Sequence, residues 1–100
     1  MDTIKVLVVD DELGIRTSIS RILQKLTLSL PDQDAEVSFD VGVAETAEEA
    51  LAIIKETPPE ILLLDNKLPG MSGIELLEQI LPLNLDIYTV IITAYASIET

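Results

Sequence analysis

No cysteine and no histidine occur in these 100 residues. The first absence excludes a disulfide framework and a thiolate metal site. The second removes the commonest general base and the commonest zinc ligand. Aromatic side chains are nearly lacking, with two Tyr, one Phe and no Trp, so any core is aliphatic. Positive charge is scarce as well. Six Lys+Arg stand against eighteen Asp+Glu, a net charge of −12. Phosphate binding needs a basic surface, so nucleic acid is not expected as a partner, and neither is an anionic membrane. A cation or a basic protein surface matches this charge better. No apolar run approaches the roughly 18 residues of a membrane helix. Met1-Asp2-Thr3-Ile4-Lys5 lacks the basic start and long apolar stretch of a signal peptide. A reducing cytoplasm is the expected location.

What the chain does have is aliphatic material for one small domain, with 48% apolar residues. Ile4-Lys5-Val6-Leu7-Val8-Val9 is short, β-branched and almost wholly apolar, the pattern of a strand buried on both faces. From Leu13 to about Leu28, apolar residues at 15, 19, 22, 23 and 26 follow helical spacing. Ser29 to Ala35 reads as a loop, and Glu36 to Val43 as a second strand. Thr46-Ala47-Glu48-Glu49 is a capping box, and Ala47, Ala50, Leu51 and Ile54 then share one helix face. Pro58-Pro59 stops that helix. Ile61 to Leu64 is a third strand. Ser72-Gly73-Ile74-Glu75 is a second capping box, opening a helix that ends near Leu81 because Pro82 follows. Ile87 to Thr93 is a fourth strand, and Ser97 caps a further helix that runs to Thr100. Alternating strands and helices with near-continuous apolar strands imply a parallel sheet covered on both faces. The acidic run Glu45, Glu48 and Glu49 reads as a solvated helix face. Leu28, Leu30 and Pro31 read as part of a plain insertion.

The polar residues at the strand ends carry the chemistry. Asp10-Asp11-Glu12 follows the first strand, Asp65 ends the third, and Thr93-Ala94 ends the fourth. In a parallel sheet these ends share one edge, where open α/β sheets bind ligands. Three clustered carboxylates repel unless a cation neutralises them. Oxygen ligands of this kind suit Mg²⁺. A carboxylate beside Mg²⁺ can also act as a nucleophile and form an aspartyl phosphate.

With these motifs in place the chain resembles the receiver (response-regulator) domain of two-component signalling. The matching residues are Val8-Val9-Asp10-Asp11-Glu12, Leu63-Leu64-Asp65, Leu68-Pro69-Gly70-Met71-Ser72-Gly73 and Ile91-Ile92-Thr93-Ala94-Tyr95. Ala96-Ser97-Ile98-Glu99-Thr100 is most similar to receivers attached to enhancer-binding transcription activators. The resemblance implies a doubly wound, flavodoxin-like α/β fold with strand order 2-1-3-4-5. It places a fifth strand, a site lysine and a fifth helix past Thr100. The expected architecture is therefore four strands in the order 2-1-3-4. Residues 1–100 form one receiver domain, truncated after the start of helix four. The stretch from Asp11 to Asp65 is longer than the family usually shows, with the excess in Thr27 to Ala35.

The resemblance also implies roles. Asp65 is the phosphoacceptor. Asp11 binds Mg²⁺ directly, Asp10 mainly through water, and Asp65 and the backbone carbonyl of Lys67 complete the metal ligands. Thr93 contacts a phosphoryl oxygen and changes position on phosphorylation. Asn66 and Ala94 supply backbone N–H groups to the phosphoryl group, Tyr95 packs nearby, and Gly73 permits a tight approach at the start of the third helix. The implied partner is a histidine kinase, and the implied function is a phosphorylation-controlled signalling domain that catalyses its own phosphorylation and dephosphorylation. The alternative is a phosphorylation-independent interaction or dimerisation module derived from a receiver. Self-association is expected through the fourth strand, which is apolar, uncharged and free of Pro, and becomes a sheet edge when no fifth strand follows. A small Mg²⁺-dependent phosphatase is disfavoured, since the first strand lacks an Asp-x-Asp pattern. Neither a P-loop nor a G-x-G-x-x-G motif supports nucleotide binding.

Overall fold

The computed structural model describes residues 2–26, 28–30 and 35–92. Five strands form one sheet in the order β2-β3-β1-β4-β5. They are β1 (Asp2–Val9), β2 (Leu28–Leu30), β3 (Ala35–Ala44), β4 (Ile61–Asp65) and β5 (Tyr88–Ile92). The helices are α1 (Leu13–Lys25), α2 (Ala47–Glu56) and α3 (Gly73–Ile80), with a 3₁₀ turn over Leu81–Leu83. β3, β1, β4 and β5 run parallel, in the order expected from the sequence. The stretch read as a loop contains a strand instead. Leu28–Leu30 pairs antiparallel with the start of β3, Leu28 opposite Val37 and Leu30 opposite Ala35. Three residues are too short to show a recognisable alternation. β3 accordingly starts at Ala35, one residue earlier than expected, and gains a partner on its outer side.

Alternation along the central strands builds the two faces. Leu7, Val9, Leu62 and Leu64 point to one side and are almost completely buried against Ala47, Ala50 and Ile54 of α2 and Leu76 and Ile80 of α3. Val6 and Val8 point the other way and are equally buried. α1 lies against β3 and β1. It ends at Lys25, where Leu26 turns to an extended conformation, earlier than its apolar spacing suggested. No α1 side chain is buried: Ile19 and Leu23 are half-buried, while Ile22 is 66% exposed. The helical period is present, but the described residues cover only part of its apolar stripe.

The caps are those the sequence announces, with one shift. Ser72 Oγ accepts from Glu75 N–H at 3.2 Å and Glu75 Oε1 accepts from Ser72 N–H at 2.8 Å, a complete capping box at α3. At α2, Thr46 Oγ1 accepts from Glu49 N–H at 3.1 Å, but the Glu49 carboxylate reaches one residue further back, to Glu45 N–H at 2.8 Å. Pro82 ends α3 within the following 3₁₀ turn, and Asn84 closes that turn in the left-handed region with φ 58°. Among the described residues no helix is long and apolar enough to cross a membrane.

Candidate functional site at the carboxyl ends of β1 and β4

The chain leaves β1 toward β3 on one side and returns through α2 to β4 on the other. The carboxyl ends of β1 and β4 therefore border the crevice where strand order reverses. Asp10, Asp11 and Asp65 meet there, each offering a carboxylate oxygen within 4.8 Å of the others. Asp10 is 6% exposed and is the one buried charged side chain among the described residues. Asp65 is half-buried and Asp11 exposed.

Each carboxylate is placed by backbone geometry. Asp10 N–H donates to Ala44 O at 3.1 Å, extending the β1–β3 ladder by one residue. Its Oδ1 accepts from Glu12 N–H at 2.9 Å, a tight side-chain turn that starts α1. Its carbonyl accepts from Arg16 Nη1 at 2.8 Å. Asp65 Oδ1 accepts from Lys67 N–H at 3.1 Å, which aims the carboxylate across the loop that follows β4. That loop returns close to the strand end. A Cβ on Gly73 would stand 2.8 Å from Asp65 O and 2.9 Å from Asn66 Cα, so only glycine fits where α3 begins.

Burial pushes the Asp65 carboxyl above the ordinary range of 3.8. The Lys67 N–H bond draws it back, the charges of Asp10 and Asp11 raise it again, and a weaker pull comes from Asn66 N–H. The sum is upward: repulsion and desolvation outweigh the two donors. Such a cluster holds its negative charge at a cost and gains from a cation.

The donor set fits Mg²⁺. All three groups are hard oxygens, and the mixed exposure leaves one side open to water and a further ligand.

The remaining expected site residues fall as follows. Asn66 N–H is committed to Ile92 O at 3.2 Å, continuing the β4–β5 ladder, and only leans on the Asp65 carboxylate. A phosphoryl contact from this N–H requires that bond to open or be shared, a constraint the sequence did not reveal. Asn66 Oδ1 is buried without a hydrogen-bond partner. Lys67 is exposed, with its N–H on Asp65. Thr93, Ala94, Tyr95 and Ser97 lie outside the described residues. Sequence reading missed Arg16. The signal was available: it is the first cation of α1, one turn past the aspartate pair.

Comparison with known proteins agrees with this arrangement. The profile of the response regulator receiver domain matches residues 6–100. Sporulation initiation phosphotransferase F of Bacillus subtilis is 32% identical over 95 residues, covering 95% of this chain and 68% of that protein. Response regulator GacA of Pseudomonas aeruginosa is 38% identical over 90 residues, covering 90% of this chain but 38% of that protein. The signal receiver domain of the response regulator NarL from Mycobacterium tuberculosis superposes with a TM-score of 0.77 at 26% identity, covering 97% of this chain and 71% of that one. The fold and the acidic crevice define a flavodoxin-like signalling domain. The chain belongs to the response regulator receiver domains of two-component systems.

Proposed function

We propose that this chain is a phosphoacceptor receiver, acting as one domain over residues 1–100, that takes a phosphoryl group from a histidine kinase onto Asp65. The observation that carries the reading is the convergence of Asp65 with Asp10 and Asp11 at the crevice between β1 and β4. An Asp65 carboxylate oxygen bonds to phosphorus as the donor's N–P bond breaks. The donor histidine nitrogen keeps the electron pair and takes a proton from solvent. Water later cleaves the acyl phosphate and releases inorganic phosphate. Asp11, Asp10, Asp65 and the Lys67 carbonyl would hold Mg²⁺, and the ion would offset the negative charge between carboxylate and phosphoryl group. Thr93 and the Ala94 N–H contact the phosphoryl oxygens, and the Asn66 N–H joins them once its bond to Ile92 O opens or is shared. α1 offers the kinase exposed apolar contacts next to the site, since Leu13 is 68% exposed and directly follows Asp10-Asp11-Glu12. The protein works in the cytoplasm and serves transcriptional control.

Phos-tag electrophoresis after treatment with acetyl phosphate and Mg²⁺ tests this. One slower band is expected, with one added phosphoryl group by mass spectrometry. Both should disappear in Asp65→Asn and on chelation of the metal. An adduct that persists in Asp65→Asn defeats the assignment.

A second reading, an interaction module that dimerises, draws on β5. Among the described residues it pairs only with β4, and its Tyr88, Val90 and Ile92 are all exposed. Where no further strand covers it, an apolar strand of this kind is a template for pairing with a second copy.

A further inference from the structure

We propose that Arg16 is a positioning residue for the metal-binding carboxylates. Its guanidinium holds the Asp10 carbonyl and so fixes the turn that carries Asp10 and Asp11 to Asp65. The proposal rests on the reading of this cluster as a Mg²⁺ site.

Three hydrogen bonds determine Asp10, one for each of its polar groups. The N–H is tied to β3 through Ala44 O at 3.1 Å, and Oδ1 is tied to the first turn through Glu12 N–H at 2.9 Å. The carbonyl is tied to Arg16 Nη1 at 2.8 Å. The first two bonds are local to the strand end. The third is the one that reaches back from the body of α1. Among the described residues Arg16 is the one α1 side chain that hydrogen-bonds outside its own helix; the other α1 side-chain bond runs from Gln24 to Ser20.

That bond matters more because α1 has so little else to anchor it. None of its side chains is buried. Its placement depends on partly covered apolar contacts and on its N-terminal junction, which is the aspartate turn itself. Arg16 is half-buried over that junction. A planar guanidinium presents donors in a fixed fork, which suits holding a carbonyl in one orientation. With the Asp10 carbonyl released, the peptide between Asp10 and Asp11 is restrained only by the Asp10 Oδ1–Glu12 N–H bond and rotates more widely. The two carboxylates would then sample arrangements that do not converge on Asp65. A cation must pay for reordering them, so its affinity falls.

A purely electrostatic role predicts the opposite. Arg16 brings positive charge to the turn that carries Asp10 and Asp11, and its removal would then strengthen cation binding, more so at low salt.

Isothermal titration of Mg²⁺ into the parent chain, Arg16→Met and Arg16→Gln separates these. Both substitutes are good helix formers, and neither can hold the carbonyl as the guanidinium does. Far-UV circular dichroism shows which variants fold. Affinity for Mg²⁺ should fall roughly tenfold in both variants, in line with the loss of an outer partner of a metal ligand. The deficit should persist at low and high salt, and Arg16→Lys should lie between parent and Gln. The rise in melting temperature on adding Mg²⁺ should shrink in parallel. Affinity equal to or tighter than the parent's overturns the proposal. So does a lower metal-free melting temperature with unchanged affinity, which marks a role confined to holding α1. A parent chain that binds no Mg²⁺ overturns the metal-site reading and this inference with it; a normal parent titration matched by the variants overturns the inference alone.

Discussion

Asp65 stands at the end of a buried strand with two other aspartates facing it, and its proton affinity is raised by burial first and by those charges after. The direction fixes a pH dependence. Below the ordinary carboxylate pKa the group is protonated in folded and unfolded chains alike and has no effect on stability. As pH rises, the unfolded chain releases this proton first, so Asp65 increasingly opposes folding until its raised folded pKa is passed. At neutral pH the metal-free protein therefore carries a penalty from this residue. Asp65→Asn should melt higher than the parent in EDTA at pH 7, and the advantage should vanish as pH falls through the ordinary carboxylate range. Melting curves across that range read it directly. An advantage that grows toward acid would mean that the Lys67 and Asn66 donors outweigh burial. The three aspartates were legible in the sequence because strand ends of a parallel sheet share an edge whatever the side-chain details. The commitment of Asn66 N–H to Ile92 and the reach of Arg16 back to Asp10 were not, since spacing gives helical phase but not which carbonyl a long side chain finds.

At the scale of elements, cap chemistry and apolar runs were readable, whereas burial was not. Ser72 and Glu75 announce α3, and both reciprocal bonds form. Thr46 announces α2, though Glu49 reaches Glu45 instead of its own cap residue. β1, β4 and β5 were visible as short aliphatic runs. β2 was invisible because three residues carry less than two periods of alternation. α1 had the right period, yet no side chain of it is buried, because burial depends on what lies over a helix. The Ser72 cap also positions the site, since it starts the helix whose first residue packs on Asp65 and Asn66. Ser72→Ala should cost about 1 kcal/mol of stability, the typical loss for an N-cap hydroxyl. Urea unfolding measures it, with the midpoint moving and the slope unchanged. A change within error would show that Glu75 alone holds the α3 terminus.

For the molecule as a whole, uneven charge sets its behaviour. The net charge is −12, but α1 carries Arg16, Arg21 and Lys25 and no acidic residue. If copies pair through the β5 edge, repulsion between two such chains opposes the contact, and added salt should tighten it by screening. Sedimentation velocity at micromolar protein concentration, at low and high salt, reads this. A monomer under both conditions removes the dimerisation reading.

The same three cations expose the chain to trypsin in one place. Half of the six basic residues, and so half of its cleavage points, lie on the helix with no buried side chain. Native-state digestion works through local opening, and the least covered element opens first. The earliest cuts should fall after residues 16, 21 and 25. They separate the peptide bearing Asp10 and Asp11 from the one bearing Asp65, so the first nick divides the acidic crevice between two fragments. Mg²⁺ bridging those fragments should slow digestion, and the masses of the earliest products report how firmly the crevice is closed.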